Sequence, residues 1–255
     1  MNSYAVALIA FVCIFGGALL GFVIQYFLPE HHLSANSKDT VKLGAGLIAT
    51  MAALVLGLLV ASAKGTFDTV NAGLMQSGAK IILLDRVLAN YGPETDGARA
   101  ALKSSVQNGL EKIWPEDEHK VNENGLKELE NSRDIEKVTK VVYSLKPTTP
   151  EQSELQTHAL QLCSDLLQAR WLLIEEQQNV LPRPLLIVAV FWLSILNVSF
   201  GLFAPRNLTV LTVLFACSIS VSGAIFLLVE MDTPLDGTIK VSSAPMHKAL
   251  EDIGR

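Results

Sequence analysis

Three carboxylates, Glu230, Asp232 and Asp236, follow 23 consecutive uncharged residues running from Asn207 to Val229. Clustered carboxylate oxygens suit a hard divalent cation. They equally suit ion pairing, because a carboxylate at a helix C-terminus faces the negative end of the helix dipole and calls for a compensating cation. Arg86 and Arg99 are the candidate partners, and pairing is the leading expectation. Asp236-Gly237 resembles part of an oxygen-rich turn, but the spacing is not that of an EF-hand loop. A second set is built of small residues: Gly44, Gly46, Ala49, Ala53 and Gly57, bracketed by Lys42 and Lys64. Small side chains let helices approach closely in lipid, which is the default reading. They also leave room for ions, and basic residues at the mouths suit an anion path. Glu30, His31, His32 and Asp39 carry metal-ligand chemistry, but adjacent histidines point apart, and a solvated loop is the expectation there.

Catalytic chemistry is not expected. No serine stands in a G-x-S-x-G context, and no Walker loop, H-E-x-x-H or paired-carboxylate motif occurs. Gly44-x-Gly46 is not a phosphate loop, since no strand precedes it. The three cysteines, Cys13, Cys163 and Cys217, form neither a disulfide framework nor a zinc spacing. The reading is a non-enzyme without cofactor.

The elements that must position these residues follow from where charge is absent. Half of the 255 residues are hydrophobic, and the mean hydropathy is +0.36. Of 45 charged residues, 32 lie between Lys64 and Arg183, 14 basic and 18 acidic. Four stretches carry none: Asn2 to Pro29, Leu43 to Ala63, Pro184 to Pro205 and Asn207 to Val229. Each exceeds the ~20 residues a helix needs to cross a ~30 Å hydrocarbon core. Lipid offers no partner for exposed backbone groups, so the spans must be helices. The first stretch lacks a basic n-region and a small-residue cleavage site, so it reads as a retained helix and not a signal peptide. The net charge of −5 and a pI near 5.6 argue against nucleic acid.

Lys and Arg near the membrane, Lys64, Lys80, Arg170, Arg183 and the tail residues Lys240, Lys248 and Arg255, favour a cytoplasmic central block. Within it, apolar positions recur at helical spacing over 64–91, 94–113, 132–145 and 151–181. Gly92-Pro93 and Trp114-Pro115 are stops, and Thr149-Pro150-Glu151 suits a helix start. No useful length alternates with period two, so no sheet is expected. Asp85, Arg86 and Arg99 read as structural pairing between helices.

Several runs together resemble a known family: LIATMAALVLGLLVASAKGTFD (47–68), LLDRVLANYGPE (83–94) with Arg99, ARWLL (169–173), LPRPLLIVAVFWL (181–193), SFGLFAPRN (199–207) and GAIFLLVEMDTPLDGTIKVSSAP (223–245). They are similar to a bacterial inner-membrane family of unestablished activity labelled bestrophin-like. The resemblance implies four spanning helices around a cytoplasmic helical insert. Bestrophins themselves are pentameric anion channels whose second spanning helix lines the pore. Their narrow neck uses bulky apolar and aromatic side chains, whereas no aromatic occurs here between Val41 and Ala63, so no gate residue carries over.

The expected molecule is an all-α polytopic membrane protein. A first transmembrane hairpin (1–63) and a second (183–230) flank a cytoplasmic helical insert (64–182), followed by a cytoplasmic tail (231–255). The expected role is an oligomeric ion channel or transport-type protein of the bacterial inner membrane, with both termini cytoplasmic. Its partners are the lipid bilayer, further copies of the chain and inorganic ions. The alternative is a non-conducting scaffold or signalling partner whose cytoplasmic helices dock another protein.

Overall fold

The computed structural model describes residues 2–29, 35–114, 133–178, 181–235 and 238–254. All regular structure among them is helical. In chain order the helices are α1 (Ser3–Phe27), α2 (Ala35–Tyr91), α3 (Asp96–Ile113), α4 (Asp134–Tyr143), α5 (Pro150–Gln178), α6 (Arg183–Phe203), α7 (Leu208–Met231) and α8 (Ala244–Asp252). Among the described residues α1, α2, α6 and α7 are long and apolar enough to cross a membrane. The chain divides into two compact units, Met1–Thr66 with Val180–Thr233, and Phe67–Asn179 with Pro234–Arg255.

Local chemistry explains the helix ends. Asn2 accepts the Tyr4 N–H through its side chain at 3.1 Å, and Asn207 does the same for Val210 at 2.9 Å. Each satisfies an amide that has no partner inside the helix. α2 stops at Tyr91 because Gly92 takes φ +133°, a conformation a Cβ disfavours, and Pro93 follows. The Thr95 hydroxyl then bonds the Leu88 carbonyl at 2.6 Å. The expected start near 94 is realised as a 3-10 turn, Pro93–Thr95, leading into α3.

In the first unit α1 lies between α6 and α7. Gly17 faces Ser194, while Gly21 faces Val198 and Gly201, so α1 and α6 run parallel. The Tyr4 ring meets Phe226 at a tilt, and Phe11 and Phe15 meet Phe215 edge-on, so α1 and α7 run antiparallel. Leu59 and Ala63 of α2 share a buried cluster with Ala10, Ile14, Leu186, Ile225 and Leu228. Large apolar side chains such as Leu8, Val12, Leu54, Leu58, Ile187 and Phe191 stay exposed. Lipid gives no hydrophobic drive for helices to associate, so such faces cost nothing there and contact is left to small residues.

The second unit has a buried apolar core. Leu84 and Leu88 of α2, Leu102 and Val106 of α3, Val138 and Val142 of α4, and Leu162 and Leu166 of α5 form one buried cluster, closed by Ala249 and Ile253. Fully burying a Leu or Val side chain away from water contributes about 1.5–3 kcal/mol. Polar contacts fix register around it. Lys80 pairs with Asp165 at 3.0 Å and Arg170 with Glu136 at 3.4 Å. The Gln156 amide donates to the Val142 and Leu145 carbonyls at 2.9 and 3.0 Å, capping the end of α4. The stretch after α7 packs here too. Trp114 Nε1 donates to the Val241 carbonyl at 3.1 Å, and the α8 start sits so close to α2 that a Cβ on Gly78 would fall 2.9 Å from the Pro245 oxygen.

Candidate functional site

The small residues of α2 sit on a helix face that the chain does not fill. Gly44, Gly46, Ala49, Ala53 and Gly57 are all exposed. A Cβ built on Gly44, Gly46 or Gly57 meets nothing within 4 Å. At about 100° per residue, Gly46, Ala49, Ala53 and Gly57 fall within an arc of about 80°, and Lys42 and Lys64 share it. Gly44 lies about 140° outside that arc. The buried face, Ala52, Leu59 and Ala63, is centred about 100° round from the stripe. Of the five small residues, then, four form one line and Gly44 stands apart. The Thr50 hydroxyl bonds back to the Gly46 carbonyl at 2.9 Å. Lys42 pairs loosely with Asp39 at 3.7 Å, both well exposed. The half of the stripe nearest Lys42 borders a groove of about 440 Å³, whose other wall includes Leu196, Phe200 and Phe203 of α6. Chemically the stripe offers a smooth, uncharged wall with cations toward both ends.

The close helix contact that small residues provide is made elsewhere. On α1, Gly17 and Gly21 form a G-x-x-x-G pair. A Cβ on Gly17 would lie 2.7 Å from the Ser194 oxygen, and one on Gly21 would overlap the Val198 carbonyl. A Cβ on Gly201 would overlap the Ala18 carbonyl in return. Attention to the second span alone misses this pair, although its four-residue spacing is visible in the sequence.

The acidic end of α7 resolves into separate environments. Glu230 is 1% exposed. Asp232 accepts the Leu181 N–H through both carboxylate oxygens, at 3.1 and 3.2 Å. Burial pushes the Asp232 pKa above its ordinary value, and the Leu181 bond only partly offsets this. Asp236 lies outside the described residues, as do Glu30, His31 and His32. No group of three His, Cys, Asp or Glu side chains poised to hold a metal occurs among the described residues.

Arg86 is exposed on α2. Arg99 is held by Asp85, Nε to Oδ1 at 2.8 Å and Nη2 to Oδ2 at 3.1 Å. Asp85, 1% exposed, also accepts the Gly254 N–H at 3.2 Å. It lies 22 residues past Ala63, outside the charge-free stretch. Burial raises its pKa. The Arg99 bond, the Gly254 N–H and the charges of Arg99 and Arg86 outweigh burial and hold the carboxyl below the usual range. The same bond raises the Arg99 pKa. The carboxylate is thus committed to structure, joining α2, the start of α3 and the residues after α8.

Neither the curated proteins nor the solved structures include a match to this chain. A family model described as the Bestrophin-like domain does match, over residues 12–246. That span takes in most of α1, all of α2, α6 and α7 and every described helix between them, and the chain belongs to the bestrophin-like family.

Proposed function

We propose that this protein is an oligomeric ion channel or transport-type protein of the bacterial inner membrane, with residues 64–182 and both termini in the cytoplasm. The observation that carries the reading is the α2 stripe. Gly46, Ala49, Ala53 and Gly57 line up on one exposed face, and open space surrounds the two glycines. A single four-helix unit encloses little lumen, so a path along this face requires further copies around an axis. Each copy would bring Lys42 and Lys64 to the two ends of the path, and rings of basic residues favour anions. The parallel α1–α6 pair supports the sidedness, since it puts the starts of both helices at one end of the unit. Membrane-proximal Lys64 and Arg183 favour the cytoplasm for that end.

Mass measurement in detergent followed by planar-bilayer recording tests the proposal. Closed rings that conduct support it, with chloride permeating better than sodium. Monomers alone, or rings that carry no current, remove it. In the second case the scaffold reading, in which residues 64–182 dock another protein, takes its place.

A further inference from the structure

α1 and α6 flank a groove of about 870 Å³. Its lining runs from Ala5 to Leu20 on α1 and from Arg183 to Val198 on α6. Fifteen residues of helix correspond to about 22 Å, so the groove is long as well as roomy. Its volume falls in the ~300–1,000 Å³ range typical of small-molecule sites. The walls are apolar, with Phe191 and Ile187 largely exposed along one side. The Ser194 hydroxyl is spent on the Val190 carbonyl at 2.8 Å. Arg183 is the one charged residue among the lining groups, and it opens α6, where a membrane span begins. No carboxylate pairs with it among the described residues. Asp232 takes the Leu181 N–H.

We propose that the groove binds an anionic phospholipid, with one acyl chain along α1 and α6 and the phosphate on the Arg183 guanidinium. The apolar walls accept the chain. The planar guanidinium matches a phosphate with two parallel hydrogen bonds. Basic pockets between membrane helices select anionic headgroups. A zwitterionic lipid brings its own ammonium and gains less. The one charged group on the lining is a cation, so charge complementarity calls for an anionic occupant. The proposal needs the first unit to lie in a bilayer but does not need the protein to conduct, and its test reads lipid mass, not current.

The test is native mass spectrometry of the purified full chain in detergent, with equimolar phosphatidylglycerol and phosphatidylcholine of matched acyl chains. Wild type is expected to retain phosphatidylglycerol about fivefold over phosphatidylcholine, the worth of one basic residue near anionic lipid. Arg183→Gln brings the ratio close to one, and Arg183→Lys keeps a preference because the charge remains. Gly16→Leu lowers retention of both lipids. Gly16 lines the groove and has open space around it, so the new side chain occupies the lipid's volume without displacing protein. Helical content by circular dichroism checks that each variant is folded. Equal retention of the two lipids by wild type, or an unchanged ratio in Arg183→Gln, overturns the proposal. So does efficient oxidative cross-linking of copies in a bilayer through Cys13, which is exposed and lines the groove, because it would put a protein helix where the lipid belongs.

Discussion

Asp85 grips the Arg99 guanidinium with both carboxylate oxygens and uses one of them again for the Gly254 amide. One buried side chain thereby ties α2 to the start of α3 and to the residues after α8. Removing it strands a guanidinium that is only 22% exposed as well as a backbone N–H. Asp85→Ala is expected to destabilise the protein by about 2–4 kcal/mol, and Arg99→Ala by a similar amount, since a partner left unpaired costs more than the pair itself contributes. Thermal unfolding of the purified variants in detergent measures both. The double variant should lose clearly less than the sum of the two.

That pair also sets a pH dependence. The Asp85 pKa is lowered on folding, so the bridge adds stability that is fully present above the unfolded carboxyl value of about 3.9 and is lost as pH falls through the folded value. The difference in unfolding midpoint between wild type and Asp85→Asn should therefore be constant from pH 7 to pH 5. It should narrow as pH is taken below about 4. A gap that grows on acidification would contradict the assignment.

Glycines of the same span type should respond in opposite ways. Gly21→Ala and Gly201→Ala each force a Cβ onto the backbone of the facing helix. Overpacking of that kind costs about 1–3 kcal/mol, read as a lower unfolding midpoint. Gly46→Ala and Gly57→Ala meet open space and should leave the midpoint unchanged or slightly raised, because alanine favours helix over glycine.

The line of Gly46, Ala49, Ala53 and Gly57 makes a claim about conduction that Gly44 does not share. In a Cys-free background, cysteine at Ala53 or Gly57 should let a charged thiol reagent cut the single-channel current by more than half. Cysteine at Gly44, about 140° away on the helix, should leave the current nearly unaltered. Equal block at all three positions would place the path elsewhere.

Trp114 anchors the stretch after α7 through a single indole hydrogen bond to Val241. Trp114→Phe keeps the apolar contact and removes the bond, at an expected cost of about 1 kcal/mol. Limited proteolysis should then cut faster between Thr238 and Ser243, while cleavage in α3 stays unchanged.

The four membrane-capable helices and the helical character of the described residues could be read from the sequence because they depend on one-dimensional properties. Charge-free length decides whether a helix can cross lipid, and Gly92-Pro93 decides where α2 ends. The uses of individual residues could not be read that way. The small-residue run on α2 suggested tight packing, yet its glycines face open space, while Gly17, Gly21 and Gly201 make the close contact. A G-x-x-x-G spacing is local and visible, but its partner, 180 residues away, follows only from which helices become neighbours. Arg99 was open to two uses, counter-ion for the acidic end of α7 or pairing between helices with Asp85 and Arg86; Asp85 holds it, because α2 and α3 meet across the Gly92 turn. Composition and spacing thus determined that the chain makes membrane-capable helices around a charged helical block. The tertiary structure decided which small residues touch, which carboxylate takes which cation and which helix face is left unfilled. Those outcomes depend on distances between segments remote in sequence, and periodicity carries no record of them.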